Sequence, residues 1–132
     1  RIYHLNETDS FNQLSIDHTH IGWLKQQGKI SDYEARNDPR RNILHQVIGG
    51  KTQHLSPQFG ELIFESKDRL LICSDGLIEG LMDSALKRML KFNNPIHQDE
   101  LNSVARTMVD ESVREDGRDN TTALCFEVLD LD

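Results

Sequence analysis

Two aspartates occupy positions from which a carboxylate could bind a ligand. Asp75 follows the apolar run 70–73 after a single serine, and Asp119 comes just before a second apolar run, 121–129. Such runs are typical of buried strands, so both carboxylates would be held by regular backbone. Because hard divalent cations prefer carboxylate oxygens, the pair predicts a cation site.

The residue that follows each aspartate has two interpretations. Gly76 either offers a backbone carbonyl to a ligand or only lets the chain turn. Asn120 either orients a water beside the ion or only holds its loop. Ser-Asp-Gly after a strand is also a common turn composition, so residue type alone leaves a turn and a ligand site open.

Histidines and cysteines give weaker signals. His18 and His20 are the only closely spaced histidines, and neither a cysteine nor a third histidine lies near them in sequence, so we do not expect a zinc site. Cys73 and Cys125 both fall in predicted strands. We expect them to be reduced thiols in a core.

The elements that must position these residues mix strand and helix patterns. The predicted strands are 2–5, 11–14, 61–65, 69–73 and 121–129. Helices are predicted at 20–27, with Gly28 just after the end, and from the capping box at Ser31. A third helix is predicted after Asp83 as its N-cap, on an apolar stripe from Met82 to Leu90, and a fourth on a stripe from Leu101 to Val109. Residues 42–48 form a brief further apolar segment. Strand pairs interrupted by helices predict an α+β fold with mainly antiparallel pairing.

Composition narrows the class of protein. The chain has 132 residues, 36% hydrophobic and 28% charged, which fits one globular domain. Its net charge of -7 argues against nucleic acid or an anionic membrane as a partner. No apolar run approaches the ~20 residues of a membrane span. We expect a cytoplasmic protein, in keeping with reduced thiols.

Three stretches carry a family resemblance. LLICSDGL at 70–77 and GRDNTTALCFEV at 117–128 are similar to the last two acidic motifs of the metal-dependent serine/threonine protein phosphatases, the PPM or type 2C family. Residues 17–50 resemble the flap of bacterial members. The family's Asp-Gly-x-Gly-Gly-His motif is absent, so residues 1–132 resemble the C-terminal portion of one phosphatase domain, with 17–50 as its flap segment.

The resemblance implies a fold and a reaction. The fold would be part of a four-layer α-β-β-α sandwich with two antiparallel sheets. The reaction would be hydrolysis of phosphoserine or phosphothreonine in proteins by a water activated by two Mn²⁺ or Mg²⁺ ions, with a third ion in some members. Asp75 and Asp119 would be metal ligands, and no other catalytic side chain is expected in this chain. The implied partner is a phosphoprotein, such as a serine/threonine kinase or its targets.

Two questions stay open at this point. This chain alone lacks the first-half ligands and should have little or no activity, so a non-catalytic half-domain or degenerate phosphatase fold that binds a protein is the alternative. The basic cluster formed by Arg36, Arg40 and Arg41 either contacts the phosphoprotein or is a solvated flap surface.

Overall fold

In a computed structural model of the chain, the structure describes residues 1–49, 55–91 and 98–129. The described elements, in chain order, are β1 (Ile2–Leu5), β2 (Phe11–Gln13), α1 (His20–Gln26), α2 (Asp32–Asn37), β3 (Arg69–Cys73), α3 (Asp75–Gly80), α4 (Asp83–Leu90), α5 (Gln98–Asp116) and β4 (Ala123–Glu127). The chain divides into two compact units: the sheet unit, residues 1–14 and 62–132, and the 15–61 unit.

The sheet unit contains one antiparallel sheet with strand order β2-β1-β3-β4. The register places Tyr3 opposite Leu71, and Leu71 opposite Cys125. The first two predicted strands, now β1 and β2, pair with each other as an antiparallel hairpin. The described residues thus form a mixed fold of helices and one antiparallel sheet, and the second sheet of the predicted sandwich is not seen among them.

One face of this sheet packs against helices and forms the core. The largest fully buried apolar side chains come from β1, β3 and the three helices α3, α4 and α5: Tyr3, Leu71, Leu77, Leu86, Leu90 and Met108. The predicted apolar stripes of α4 and α5 therefore point inward. The prediction of Asp83 as the N-cap of α4 is wrong by one residue: Asp83 is the first helical residue, and Met82 is the N-cap, without a side-chain cap hydrogen bond. Met82 is exposed because it lies outside the helix.

The opposite face of the sheet is apolar but exposed. Ile2, Ile72 and Leu124 are paired in one row across three strands, and their side chains alternate with those that face the core. They are 37%, 40% and 51% exposed, and Phe126 on the same face is 42% exposed. An apolar sheet face of this kind normally packs against another layer.

Residues 61–65, predicted as a strand, form no strand in the structure. Their pattern suits a strand, but no described segment pairs with them, and a strand exists only with a partner. Ile63 is consequently 91% exposed. The stretch 42–48 also forms no helix; Leu44 instead makes an isolated antiparallel bridge with Thr19.

In the 15–61 unit the helix ends follow the sequence signals. Thr19 caps α1 by accepting a hydrogen bond from the Gly22 amide, and Gly28 adopts a φ of 64° just after the helix. Ser31 and Glu34 form the predicted capping box of α2, with both reciprocal hydrogen bonds present. These local interactions, more than burial, define the two short helices.

Candidate metal centre

The end of β3 and the start of β4 meet at Ser74. Its amide donates to the Thr122 carbonyl at 3.1 Å, and its hydroxyl oxygen accepts from the Thr122 amide at 3.0 Å. The same hydroxyl donates to the Asn120 carbonyl at 3.2 Å. The sheet register thus joins the segment that carries Asp75 to the segment that carries Asp119.

Gly76 allows these two segments to approach closely. A Cβ atom there would lie 2.4 Å from the carbonyl oxygen of Asn120 and 2.9 Å from Oγ1 of Thr121. Gly76 belongs to the first turn of α3, which replaces the predicted simple turn. The glycine leaves room for the neighbouring backbone, and Asn120 supplies that backbone through its carbonyl.

A buried serine fixes the same helix from the other side. The Ser112 hydroxyl, fully buried in α5, lies 2.9 Å from the Gly76 carbonyl oxygen and donates to it. The sequence analysis did not single out Ser112. The signal was present, because Ser112 lies four residues after the buried Met108 and extends the inward stripe of the helix.

Both predicted ligands are exposed carboxylates with little local engagement. Oδ1 of Asp75 accepts the Gly76 amide at 3.1 Å, and Oδ1 of Asp119 accepts the Asn120 amide at 2.7 Å. Within the described ranges, neither carboxylate forms a salt bridge. By contrast, Asp116 is paired with Arg118. Two uncompensated oxygen donors on adjoining segments suit a hard cation.

The donor set is chemically right for Mg²⁺ or Mn²⁺ but incomplete. In the described part of the chain, no three or more His, Cys, Asp and Glu side chains are grouped so that they could hold a metal ion. Magnesium is surrounded by about six oxygens and usually keeps several waters. Two carboxylates therefore fit part of a coordination shell that waters and further ligands would complete.

The two cysteine thiols are not candidate ligands or nucleophiles for this site. Both cysteines are free, as the sequence predicted. Burial raises the pKa of the Cys73 thiol and raises that of Cys125 to about 11. They are protonated at neutral pH and serve as core residues.

Arg40, a predicted substrate contact, is engaged within its own unit. Its Nε and Nη2 atoms contact the two carboxylate oxygens of Asp38 at 3.0 and 2.8 Å. These hydrogen bonds lower the pKa of Asp38 to about 2. The Arg41 amide donates to the Asp38 carbonyl at 3.0 Å. Asp38 thus organises the turn that carries both arginines.

Curated relatives of this chain are bacterial phosphatases. Protein phosphatase PhpP of Streptococcus pneumoniae is 34% identical over 88 residues, which are 67% of this chain and 35% of PhpP. Serine/threonine phosphatase Stp of Listeria innocua is 31% identical over 124 residues, 94% of this chain and 47% of Stp. No protein-family model matches.

Solved structures agree with these relatives. The Mycobacterium tuberculosis serine/threonine phosphatase PstP/Ppp has a TM-score of 0.81 at 25% identity, over 98% of this chain and 52% of that one. The PPM Ser-Thr phosphatase MsPP of Mycobacterium smegmatis has a TM-score of 0.78 at 28% identity, over 96% and 51%. This chain is a homologue of the bacterial PPM serine/threonine phosphatases.

The PPM homology covers nearly all of this chain but not all of its relatives. The chain spans about half the length of the curated relatives it matches, or less. That share is consistent with the predicted C-terminal half of a PPM domain. A PstP catalytic domain solved with two manganese ions matches over 98% of this chain with a TM-score of 0.76.

Proposed function

We propose that this chain supplies the C-terminal metal ligands of a protein serine/threonine phosphatase that uses Mn²⁺ or Mg²⁺. The observation that carries the proposal is the pair Asp75 and Asp119, two exposed carboxylates that form no salt bridge with any described residue and lie on segments joined through Ser74. The homology to PPM phosphatases supplies the reaction class, hydrolysis of phosphoserine and phosphothreonine in proteins.

Each part of the edge has a distinct task in this mechanism. Asp75 and Asp119 would hold the ions, which would supply Lewis-acid polarisation of the phosphate and a water nucleophile at neutral pH. Ser74 keeps the two ligand segments together, and Ser112 fixes the turn after Asp75 through the Gly76 carbonyl. These backbone constraints limit how far the carboxylates can move apart.

We also propose that the exposed apolar face of the sheet packs against a second antiparallel sheet, which completes the α-β-β-α sandwich. Ile2, Ile72, Leu124 and Phe126 offer that sheet a continuous apolar surface. The relatives are about twice as long as this chain, so they contain enough residues for such a layer.

The proposed substrate is a phosphoprotein, with a serine/threonine kinase or its targets as the implied partner. The predicted flap, residues 17–50, falls within the 15–61 unit. Arg41 and Arg40 would contact the phosphoprotein from there, although Arg40 would have to exchange Asp38 for the substrate. Arginine pairs with phosphate as it pairs with carboxylate, so the exchange is chemically reasonable. No helix among the described residues is long and apolar enough to cross a bilayer, and reduced thiols fit the proposed cytoplasmic location.

Mn²⁺ binding to the 132-residue chain tests the ligand assignment. Bound Mn²⁺ should broaden the NMR signals of residues around 74–76 and 119–122, and Asp75→Asn or Asp119→Asn should weaken binding by roughly tenfold or more. Asp110→Asn, which removes the same charge from an exposed position of α5, is the matched control and should bind normally. Equal losses in all three variants would show that only overall charge matters and would reject the assignment.

A non-catalytic, protein-binding half-domain is the second candidate. It is favoured by the incomplete donor set and by the exposed apolar face of the sheet. The protein purified from its source separates the two: its intact mass shows whether further sequence is present, and turnover of a phosphothreonine peptide with Mn²⁺ shows catalysis. Turnover that is lost in Asp75→Asn supports the phosphatase, whereas an inactive protein that still binds a partner supports the half-domain.

A further inference from the structure

Two distant segments of the 15–61 unit are joined backbone to backbone. The His20 amide donates to the Ile43 carbonyl at 2.9 Å, and the His45 amide donates to the His18 carbonyl at 2.8 Å. This short ladder links the start of α1 to a segment more than twenty residues later in the chain. The link brings His20 and His45, which are distant in sequence, close together in space.

The side chains of His20 and His45 meet across this ladder. Nδ1 of His20 lies 3.2 Å from Nε2 of His45. Without a metal, one ring donates its proton to the other, because two ring nitrogens can share a single proton. The His45 side chain is exposed and the His20 side chain is half-buried, so the pair is open to solvent.

The nitrogen separation also matches that of two ligands on one metal ion. With Zn–N bonds of about 2.0–2.1 Å and tetrahedral angles, two ligating nitrogens lie about 3.3–3.4 Å apart. Only a small adjustment would thus let both rings face the same ion. Imidazole nitrogen suits zinc and related transition metals, whereas Mg²⁺ prefers oxygen.

We propose that His20 and His45 form an open two-histidine site for Zn²⁺ or a similar transition metal, with water in the remaining positions. The Asp38 carboxylate interacts electrostatically with His20. Since Arg40 pairs with the same carboxylate, the net negative charge beside the two rings is small, and the two ring nitrogens carry the site. Since two protein ligands bind less tightly than a closed set of four, the site would exchange its metal readily.

The consequence of binding is local and goes beyond phosphate hydrolysis. A metal shared by the two rings would fix α1 to the segment around His45 more firmly than one hydrogen bond does. Because residues 18–45 belong to the predicted flap, zinc would act on the flap through ligands other than Asp75 and Asp119. Metal binding would therefore cross-link α1 to the segment around His45 within the 15–61 unit.

A Zn²⁺ titration of the 132-residue chain tests this site. Calorimetry in excess Mg²⁺, which occupies oxygen sites, should give one zinc per chain. Proton NMR should show the ring signals of His20 and His45 shifting together. His45→Gln keeps a group able to hydrogen bond to His20 but removes the ring nitrogen, and it should weaken zinc binding more than about tenfold.

His97→Gln serves as the control, since it also removes one imidazole but at a position far along the sequence from both His20 and His45. It should leave the zinc affinity unchanged, and His20→Gln should reproduce the loss seen in His45→Gln. Unchanged zinc binding in His45→Gln would overturn the proposal. An equal loss in His97→Gln, or ring shifts confined to other histidines, would overturn it as well.

Discussion

The two units of this chain are stabilised by different means. Nine buried apolar or thiol side chains form one cluster in the sheet unit, whereas Ile21 is the single buried apolar residue among those described in the 15–61 unit. The second unit depends instead on helix caps, a short ladder and surface ion pairs such as Lys25–Asp32. The proposed metal ligands are therefore supported by a packed apolar core, whereas the predicted flap has little buried apolar surface.

Charged groups show the same contrast. Arg69 and Glu127 pair at 3.0 Å with side chains only 8% and 1% exposed, and Arg69 also donates to the Leu90 carbonyl at 2.8 Å. That pair is part of the sheet unit's interior. The Asp38–Arg40 pair in the other unit is more accessible, with side chains 16% and 54% exposed, and it organises a turn. Substitutions should therefore cost stability in one unit and mainly alter local order in the other.

The largest expected effect comes from the core of the sheet unit. Leu71 is fully buried in the central strand β3, so Leu71→Ala should reduce the free energy of unfolding by about 3–5 kcal/mol. Ile72→Ala is the matched control on the exposed face of the same strand and should cost less than about 1 kcal/mol in this chain. Urea denaturation measures both, and similar costs would mean that the second face is not solvent-exposed.

A smaller effect is expected where the two ligand segments touch. Gly76→Ala puts a methyl group 2.4 Å from the Asn120 carbonyl oxygen, so the backbone must shift, at a cost of about 1–3 kcal/mol. Mn²⁺ affinity should fall too, because the shift separates the segments of Asp75 and Asp119. Gly60→Ala, with no atom within 4 Å of the new methyl, should change neither quantity. Normal Mn²⁺ binding by Gly76→Ala would show that this contact does not position the ligands.

Local signals predicted local structure well. The capping box at Ser31, the end of α1 at Gly28 and the stripe ending in Leu90 all lie as the sequence indicated, because each depends on residues close in sequence. The 61–65 segment failed as a strand because pairing depends on a partner that its own residues do not specify. The His20–His45 contact was missed for the same reason: it depends on a ladder between distant segments.

At the candidate site, the sequence predicted the candidate ligands but not the contacts that position them. The adjoining placement of the segments around Asp75 and Asp119 follows from the β3–β4 register; the apolar runs predicted the two strands but not their pairing. The hydroxyl of Ser112 and the close contact at Gly76 depend on how α5 packs on α3. Packing of that kind is decided by side chains far apart in sequence. The metal assignment itself stays a prediction.

In the 15–61 unit, removing a helix cap should lower the stability of one helix only. Ser31→Ala removes the cap of α2 and should cost about 1 kcal/mol of local stability. Amide hydrogen exchange should speed up in residues 32–37 and stay unchanged in β3. Glu34→Gln is the control, since glutamine also completes a capping box. Faster exchange in β3 would show that the two units do not open separately.

The smallest expected effect at neutral pH is a change in stability caused by the ionisation of single side chains, which occurs at high pH in the sheet unit and at low pH in the 15–61 unit. The Cys125 thiol has a pKa of about 11 in the folded chain against 9.0 for the free group, because burial penalises the thiolate. Between these values the folded state holds a proton that the unfolded state has lost, so its stabilising contribution is complete below pH 9 and disappears as pH rises toward 11. The Asp38 carboxyl in the 15–61 unit has a lowered pKa, so its contribution instead disappears as pH falls toward about 2. The stability difference between the parent chain and Cys125→Ala, measured by urea denaturation, should therefore decline from pH 8.5 to 10.5. A constant difference would place the thiol in water and contradict the packing of Cys125, a residue of β4, against the core.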